Sequence, residues 1–363
     1  MKFSECVEIV GSKPSRYQGI KQYVSTGALD SDHIDENSIE EYAYDDRPSR
    51  ADLVAEAGNV LFAKMAETKK TLVINNQNEK YLFSTGFFAV KPKKNVLTTE
   101  CLYYLLNSNT FLSQKDKYSS GATQKAISNA SLEKIIVNIP CFSKQEDIVK
   151  QLDKLSNIIK KTRKQLLNFD LLIKSRFIEM FGDPLDNQKN WEVQTLGNLC
   201  EIVRGGSPRP IDKFLGGSIP WIKIGDATNG DDIYLYKTKE HIIEEGIKKS
   251  RLIPEGSLIF ANCGVSLGFA RIIKFQGCIH DGWLAFQNIS PRVNNVFLLK
   301  SLNMCTDYFR KTAPDGTQPN LNTTIMKSFV QILPPKDLQD EYVQFVQQID
   351  KSKFENNYKE LVA

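Results

Sequence analysis

A chain of 363 residues, 41% hydrophobic and 25% charged, is long enough for two or three domains that each bury a core. No stretch of about 18 apolar residues suggests a membrane span, and the opening MKFSECVEIVGSK carries no secretory pattern, so a cytoplasmic protein without a membrane partner is expected. The net charge of +4 is mildly basic, and seven cysteines without a C-x-x-C pair argue against a disulfide framework or a zinc site.

In chain order, short segments rich in β-branched and aromatic residues come first, at 71–76 and 81–92, followed by a helical pattern over 97–114. From 143 to 181 there is neither Gly nor Pro, and Ile148, Leu152, Leu155, Ile159, Thr162, Leu166, Phe169, Ile173 and Met180 recur at alternating steps of four and three. That spacing is a heptad stripe, interrupted by Arg176, and it predicts one long helix that packs lengthwise on a partner helix. Ser143 with Glu146 forms a capping box on paper, and Gly182 with Pro184 ends the run. Roughly 37 residues at 1.5 Å each make a rod of about 55 Å. Strand-like segments return at 218–226, 256–264 and 283–289, a helical pattern at 294–309, and a second long helix at 336–361.

The second half repeats the first. GATQKAISNASLEKIIVNIP (121–140) aligns without a gap on GTQPNLNTTIMKSFVQILPP (316–335), so that Thr123 falls on Thr317, Gln124 on Gln318, Ile127 on Leu321, Pro140 on Pro334 and Gln145 on Gln339. EIVGSKPS (8–15) echoes EIVRGGSP (201–208), AGNVLFAK (57–64) echoes EGSLIFAN (255–262), and TGFFAV (85–90) echoes DGWLAF (281–286). A unit of about 190 residues is far longer than a solenoid repeat, so each copy is a domain plus its connection. In the second long helix Tyr342, Val346 and Ile349 fall on Ile148, Leu152 and Leu155, after which the stripe turns polar at Lys353 and Asn356.

Two β-rich copies each followed by a long helix, with KSRFIEMFGDP (174–184), WEVQTLGNLCEIVRGGSP (191–208), IPWIKIGD (219–226) and GTQPNLN (316–322), resemble the specificity subunit of type I restriction-modification enzymes. The resemblance implies an α+β fold with two pseudo-symmetric, β-rich mixed target recognition domains, at 1–142 and 183–335. Between them stand two long antiparallel helices, at 143–182 and 336–363, that form a coiled-coil spacer. It further implies a non-catalytic subunit that reads a bipartite site in double-stranded DNA, one half-site per domain. Its partners would be two modification subunits and the restriction subunits, which would use S-adenosylmethionine, ATP and Mg2+ while this chain binds no cofactor. The first copy lacks a counterpart to WEVQT (191–195).

Lys and Arg suit phosphates, and Arg, Asn, Gln, Ser and Thr suit base edges. The DNA-contact candidates are Lys13, Lys64, Lys69, Lys70, Ser120, Thr123 and Gln124 in the first copy, and Arg204, Ser207, Arg209, Lys223, Thr317, Gln318 and Asn320 in the second. Gly205 and Gly206 read as a place where backbone approaches phosphate. The plainer readings are a turn with solvated arginines for Arg204 and Arg209, a solvated face for Lys64, Lys69 and Lys70, and fixing of the helix entry for the repeated loops that carry Gln124 and Gln318, while Lys160, Lys161, Arg163 and Lys164 on the long helix suit a solvated or subunit-facing surface. His280 reads as structural, and Trp221, Phe260, Trp283 and Phe286 as core. There is no phosphate-binding G-x-x-x-x-G-K-[ST] loop and no Asn-Pro-Pro-aromatic stretch. Two other readings stay open: an interaction scaffold with duplicated lobes that binds protein or carbohydrate, and a nuclease in which Asp52 and Glu67 meet around a metal with Lys69 beside them.

Overall fold

The computed structural model describes residues 1–228, 232–313 and 320–362, with side chains up to residue 353. It divides into two units, Met1–Lys160 and Lys161–Ala363. Among the described residues no helix is long and apolar enough to cross a membrane.

The first unit is built on β1 (Val7–Val10), β2 (Ile20–Val24), β3 (Glu40–Ala43), β4 (Val60–Ala63), β5 (Thr71–Val73), β6 (Leu82–Phe83) and β7 (Phe87–Pro92). Its main sheet has the order β1-β7-β4-β5, and a second has the order β3-β2-β6. β4, read VLFA, is buried at every position. Side chains alternate across a strand, so Val60 and Phe62 enter a core under the helices while Leu61 and Ala63 enter another on the opposite face. A strand covered on both faces is apolar throughout, which is why this one does not alternate.

The second unit repeats the plan with β8 (Glu201–Arg204), β9 (Leu215–Ile222), β10 (Tyr234–Leu235), β11 (Glu240–Ile242), β12 (Arg251–Ile253), β13 (Leu258–Ala261), β14 (Ala270–Ile273), β15 (Gly277–Ile279) and β16 (Trp283–Gln287). The orders are β8-β16-β13-β14-β10 and β11-β9-β15-β12. β13 splits like β4: Leu258 and Phe260 face one core, Ile259 and Ala261 the other. The parallel pairs also match, Tyr23 with Leu82 and Trp221 with Cys278. Trp221, Phe260, Trp283 and Phe286 are buried.

Several local expectations change. The pattern over 97–114 is two helices, α1 (Thr99–Leu106) and α2 (Asn109–Tyr118), because the Ser108 hydroxyl caps the second by accepting from Phe111 N at 3.2 Å. Likewise 294–309 is α4 (Asn295–Met304) followed by α5 (Thr306–Thr312), and the long helix between the copies is α3 (Phe142–Phe181). Segment 81–92 breaks into β6 and β7 at Gly86, and β9 stops at Ile222, where a turn takes over with Asp226 accepting from Lys223 N at 2.9 Å. The apparent lack of a counterpart to WEVQT is partly an alignment effect. Phe3 N donates to Ile135 O as Leu196 N donates to Phe329 O, both at 2.9 Å, so Met1–Phe3 stands where Gln194–Leu196 stands.

The 40 residues of α3 begin at Phe142, one position ahead of the expected cap. Ser143 is therefore inside the first turn, its hydroxyl 3.6 Å from Cys141 Sγ, while Glu146 pairs with Lys150 at 2.7 Å; the capping box does not form. What anchors the helix start is Gln145. Its Oε1 accepts from Thr98 N at 2.9 Å and its Nε2 donates to Val96 O at 2.8 Å and Pro140 O at 3.1 Å. α6 (Lys336–Val362) starts identically: Gln339 Oε1 accepts from Asn294 N at 2.9 Å, and Nε2 donates to Arg292 O at 3.0 Å and Pro334 O at 2.8 Å. Thr98 and Asn294 cap α1 and α4, so each glutamine ties a long helix to the cap of a lobe helix.

Within the second unit α6 runs antiparallel to the end of α3. Tyr342 OH donates to Ile173 O at 3.4 Å, Arg176 meets Glu341 at 3.0 Å, and Lys353 meets Asp170 at 2.6 Å. Ile173 and Val346 are buried, and Ile349, Leu166 and Phe169 partly so. Ile148, Leu152 and Ile159 are half-buried, but Leu155 is 38% exposed, contrary to the packed position expected of it. The most buried side chains of this segment, Phe177 and Phe181, lie off the expected stripe.

Candidate nucleic-acid interface

In the second lobe β8 delivers Arg204 to the rim of the sheet, and the next two residues fold back on the turn Ile279–Trp283. Gly205 N donates to Trp283 O at 2.9 Å and Gly206 N to Ile279 O at 3.0 Å. A Cβ on Gly205 would lie 2.1 Å from His280 O, and one on Gly206 2.8 Å from Lys249 O. The glycines thus serve a close approach of the protein to itself. Gly205→Ala should therefore cost about 2–4 kcal/mol of stability, whereas in an ordinary helix or strand the same change stabilises by about 0.5–1 kcal/mol. A melting temperature unchanged from the parent would sink that assignment.

This fold-back gathers the charges. Arg204 Nε donates to Asp281 O at 3.0 Å, Ser207 Oγ donates to Asp281 Oδ1 at 2.9 Å, and the Arg209 guanidinium lies 3.7 Å from Asp281 Oδ2. His280 Nδ1 lies 3.0 Å from Asp281 Oδ1 but also accepts from Gly282 N at 2.9 Å. Burial, with Lys223, Arg209 and Arg204 behind it, lowers the pKa of His280 against the pull of Asp281, so the ring is neutral and the short approach to Asp281 is not an ion pair. The imidazole sits 5.7 Å from the Trp221 ring, in keeping with a structural role. Lys223 is less available than expected, since its ammonium donates to Glu240. Asn320 Oδ1 accepts from Asn262 Nδ2 at 3.1 Å. Thr317 and Gln318 lie outside the described residues.

The first lobe places its candidates on matching elements with different chemistry. Lys64 occupies the position of Asn262: Ile127 N donates to Lys64 O at 2.9 Å, as Leu321 N donates to Asn262 O at 2.8 Å. Its ammonium donates to Thr85 O at 2.8 Å, 4.5 Å from the Phe88 ring, and burial lowers its pKa. Lys70 donates to Thr26 O at 2.7 Å. Ser120 closes a loop through a bridge to Ala126, leaving Thr123 and Gln124 exposed, with Gln124 Nε2 donating to Met65 Sδ at 2.7 Å. Lys69 is exposed. Lys13 stands apart from this group, 3.5 Å from Asp52, which also binds Arg47 at 3.1 Å. Asp52 is thus engaged by two cations, and among the described residues no three His, Cys, Asp or Glu gather as metal ligands. On the long helix Lys160 holds Asp32 at 2.8 Å.

Two supporting residues escaped the sequence reading. Lys115, 1% exposed, donates to Met65 O at 2.7 Å and Thr68 O at 2.6 Å, fixing the loop that follows β4. Arg310 holds the corresponding loop after β13, donating to Leu267 O at 3.1 Å. The available signal was a cation late in the second lobe helix of each copy.

The description "type I restriction modification DNA specificity domain" belongs to a family whose model matches residues 15–168 and again 188–362. The chain belongs to this family. The two matches coincide with the two copies of the fold, so the internal repeat is a pair of specificity domains. Among curated relatives, the type I restriction enzyme MjaIX specificity subunit of Methanocaldococcus jannaschii is 25% identical over 300 residues, covering 77% of this chain and 68% of the relative. The HindI specificity subunit of Haemophilus influenzae is 22% identical over 378 residues, covering 81% and 80%. A chain solved in work on complex assembly and conformational transition of the type I R-M system shares the fold at a TM-score of 0.59, 18% identical and covering 99% of this chain and 93% of that one. The type I S subunit from M. genitalium gives 0.58 at 12% identity, covering 100% and 91%. The type I specificity subunits thus share both the sequence family and the α+β fold of this chain.

Proposed function

We propose that this chain is the non-catalytic DNA-reading subunit of a type I restriction-modification complex, each lobe reading one half of a bipartite double-stranded target. The observation that carries the reading is one frame presented twice with different reading chemistry. Lys64 stands where Asn262 stands, Thr85 where Asp281 stands, and Arg204 extends a loop that the first copy builds around Lys13. Identical frames with unlike surface groups suit two different half-sites. Phosphate contacts from these loops would supply most of the affinity and make it salt-dependent, while base edges would select sequence.

The reading also assigns partners. Two modification subunits would dock with the chain, and restriction subunits would complete the complex, with S-adenosylmethionine, ATP and Mg2+ acting in those partners. Exposed Leu167, Leu171 and Leu172 on α3 are consistent with a helix that other subunits cover. Seven free cysteines accord with a reducing cytoplasm.

The test is co-expression with the modification subunit of the same operon, followed by methylation mapping of host DNA. The expected result is a split motif with two defined halves and an unspecified gap. Stable assembly without any modified motif would favour the scaffold reading. The double variant Arg204→Ala, Arg209→Ala should weaken DNA binding at every sequence and lower the slope of log K against log salt by roughly 1.8, about 0.9 per lost phosphate contact. An unchanged slope in a salt titration would remove this loop from the interface.

A further inference from the structure

We propose that Asp281 is a specificity-determining residue whose carboxylate keeps the basic loop of the second lobe from clamping DNA phosphate irrespective of sequence. The inference rests on the DNA-reading function proposed above. Its basis is the placement of one anionic group beside two arginines that it neutralises only in part, through a single long ion pair to Arg209. Arg204, the nearest, donates to the main-chain oxygen of Asp281 and not to its carboxylate, at 3.0 Å. Arg209 is 3.7 Å away with a side chain 82% exposed. Lys223 is directed to Glu240. The hydrogen bond the carboxylate accepts from Ser207 at 2.9 Å leaves acceptor capacity on a group still 36% exposed. Its negative field also reaches the Cys263 thiol, whose pKa is raised first by burial and then by Asp281.

A carboxylate in this position does two things to an approaching duplex. A backbone phosphate that comes to Arg204 and Arg209 also comes to Asp281, and the like-charge repulsion offsets part of the attraction. A base edge carries no net charge, and an amino group such as cytosine N4 is a donor that the carboxylate accepts. The same side chain therefore penalises the contact that carries no sequence information and tolerates the contact that does. Specificity is the ratio of the two affinities, so lowering the sequence-blind one raises it.

The first lobe supplies the comparison. There the position is Thr85, exposed, whose carbonyl receives the Lys64 ammonium at 2.8 Å as the Asp281 carbonyl receives Arg204. The lobes thus share the cation-to-carbonyl contact and differ in the carboxylate.

The experiment measures binding of the full-length chain to a random-sequence duplex of about 30 base pairs across a salt titration. Asp281→Asn keeps the acceptor for Ser207 and removes the charge; it should bind about 3- to 10-fold tighter at low salt, with a steeper salt slope. Ser207→Ala breaks the same hydrogen bond but keeps the charge, and should give no rise, which separates the field from loop anchoring. The reciprocal Thr85→Asp should weaken binding by a similar factor, and it tests the idea even if Asp281→Asn folds poorly. If Arg204→Ala and Arg209→Ala weaken binding while Asp281→Asn binds no tighter than the parent, or Thr85→Asp no weaker, this inference falls and the DNA-reading function stands. If the arginine variants also change nothing, the interface itself is misplaced.

Discussion

Replacing Phe177 with alanine should lower the stability of the second lobe by about 3–5 kcal/mol, the largest single-residue effect expected in this chain. The ring is fully buried and meets three others: it stacks on Phe297 at 5.7 Å and packs edge-on against Phe181 at 5.0 Å and Tyr342 at 5.4 Å. Phe177 and Phe181 come from α3, Phe297 from α4 and Tyr342 from α6, so one truncation opens a cavity where three helices meet. Aromatic pairs contribute beyond their buried area, and rigid neighbours on three helices cannot collapse into the space. The three tryptophans, Trp191, Trp221 and Trp283, all belong to this lobe, so fluorescence-monitored denaturant unfolding reports it selectively. A loss below about 1 kcal/mol would show that the aromatic cluster does not hold the helices together.

Gln339→Leu should cost about 3 kcal/mol, although leucine matches glutamine closely in size. The amide is fully buried and satisfies three main-chain groups: Asn294 N, Arg292 O and Pro334 O. Each buried group left without a partner carries roughly 1–3 kcal/mol, and burying the leucine returns part of the total. Gln145→Leu should have a comparable effect in the first lobe, read as faster amide hydrogen exchange around Val96 to Thr98, with the tryptophan signal unmoved. If both variants melt with the parent, the glutamines are not the ties between long helices and lobe caps.

The pairing of these glutamines was visible in the repeat itself, since 145 and 339 align without a gap; what they do was not. A glutamine at a helix start reads as solvated, and only the approach of the α1 or α4 cap makes it an interior group. The heptad stripe found α3 and the repeat found its partner helix, yet the stripe placed Leu155 in a packed seam and passed over Phe177. Periodicity reports which face of a helix is apolar, whereas burial depends on what each turn meets. Arg176 interrupts the stripe because it pairs with Glu341 at the surface while its neighbour Phe177 carries the packing.

The DNA-contact candidates were chosen by residue type, and the structure sorts them. Arg204, Ser207 and Arg209 converge on one turn, Gln124 reaches Met65 while Lys64 is tied to Thr85 O, and Lys13 stands with Asp52 and Arg47. Asp281 was not among them, because a carboxylate is the wrong charge for a phosphate site and only its neighbours make it relevant.

By itself the sequence determined that the chain is one unit written twice, that each unit ends in a long helix, and that the family is that of type I specificity subunits. These properties are carried by order, spacing and local periodicity, which survive in one dimension. Tertiary structure alone decided which apolar residues are core, that Gly205 packs against His280, and that Asp281 stands beside Arg204 and Arg209. Those contacts join segments about 75 residues apart, and the strand register that brings Arg204 opposite Leu284 sets them.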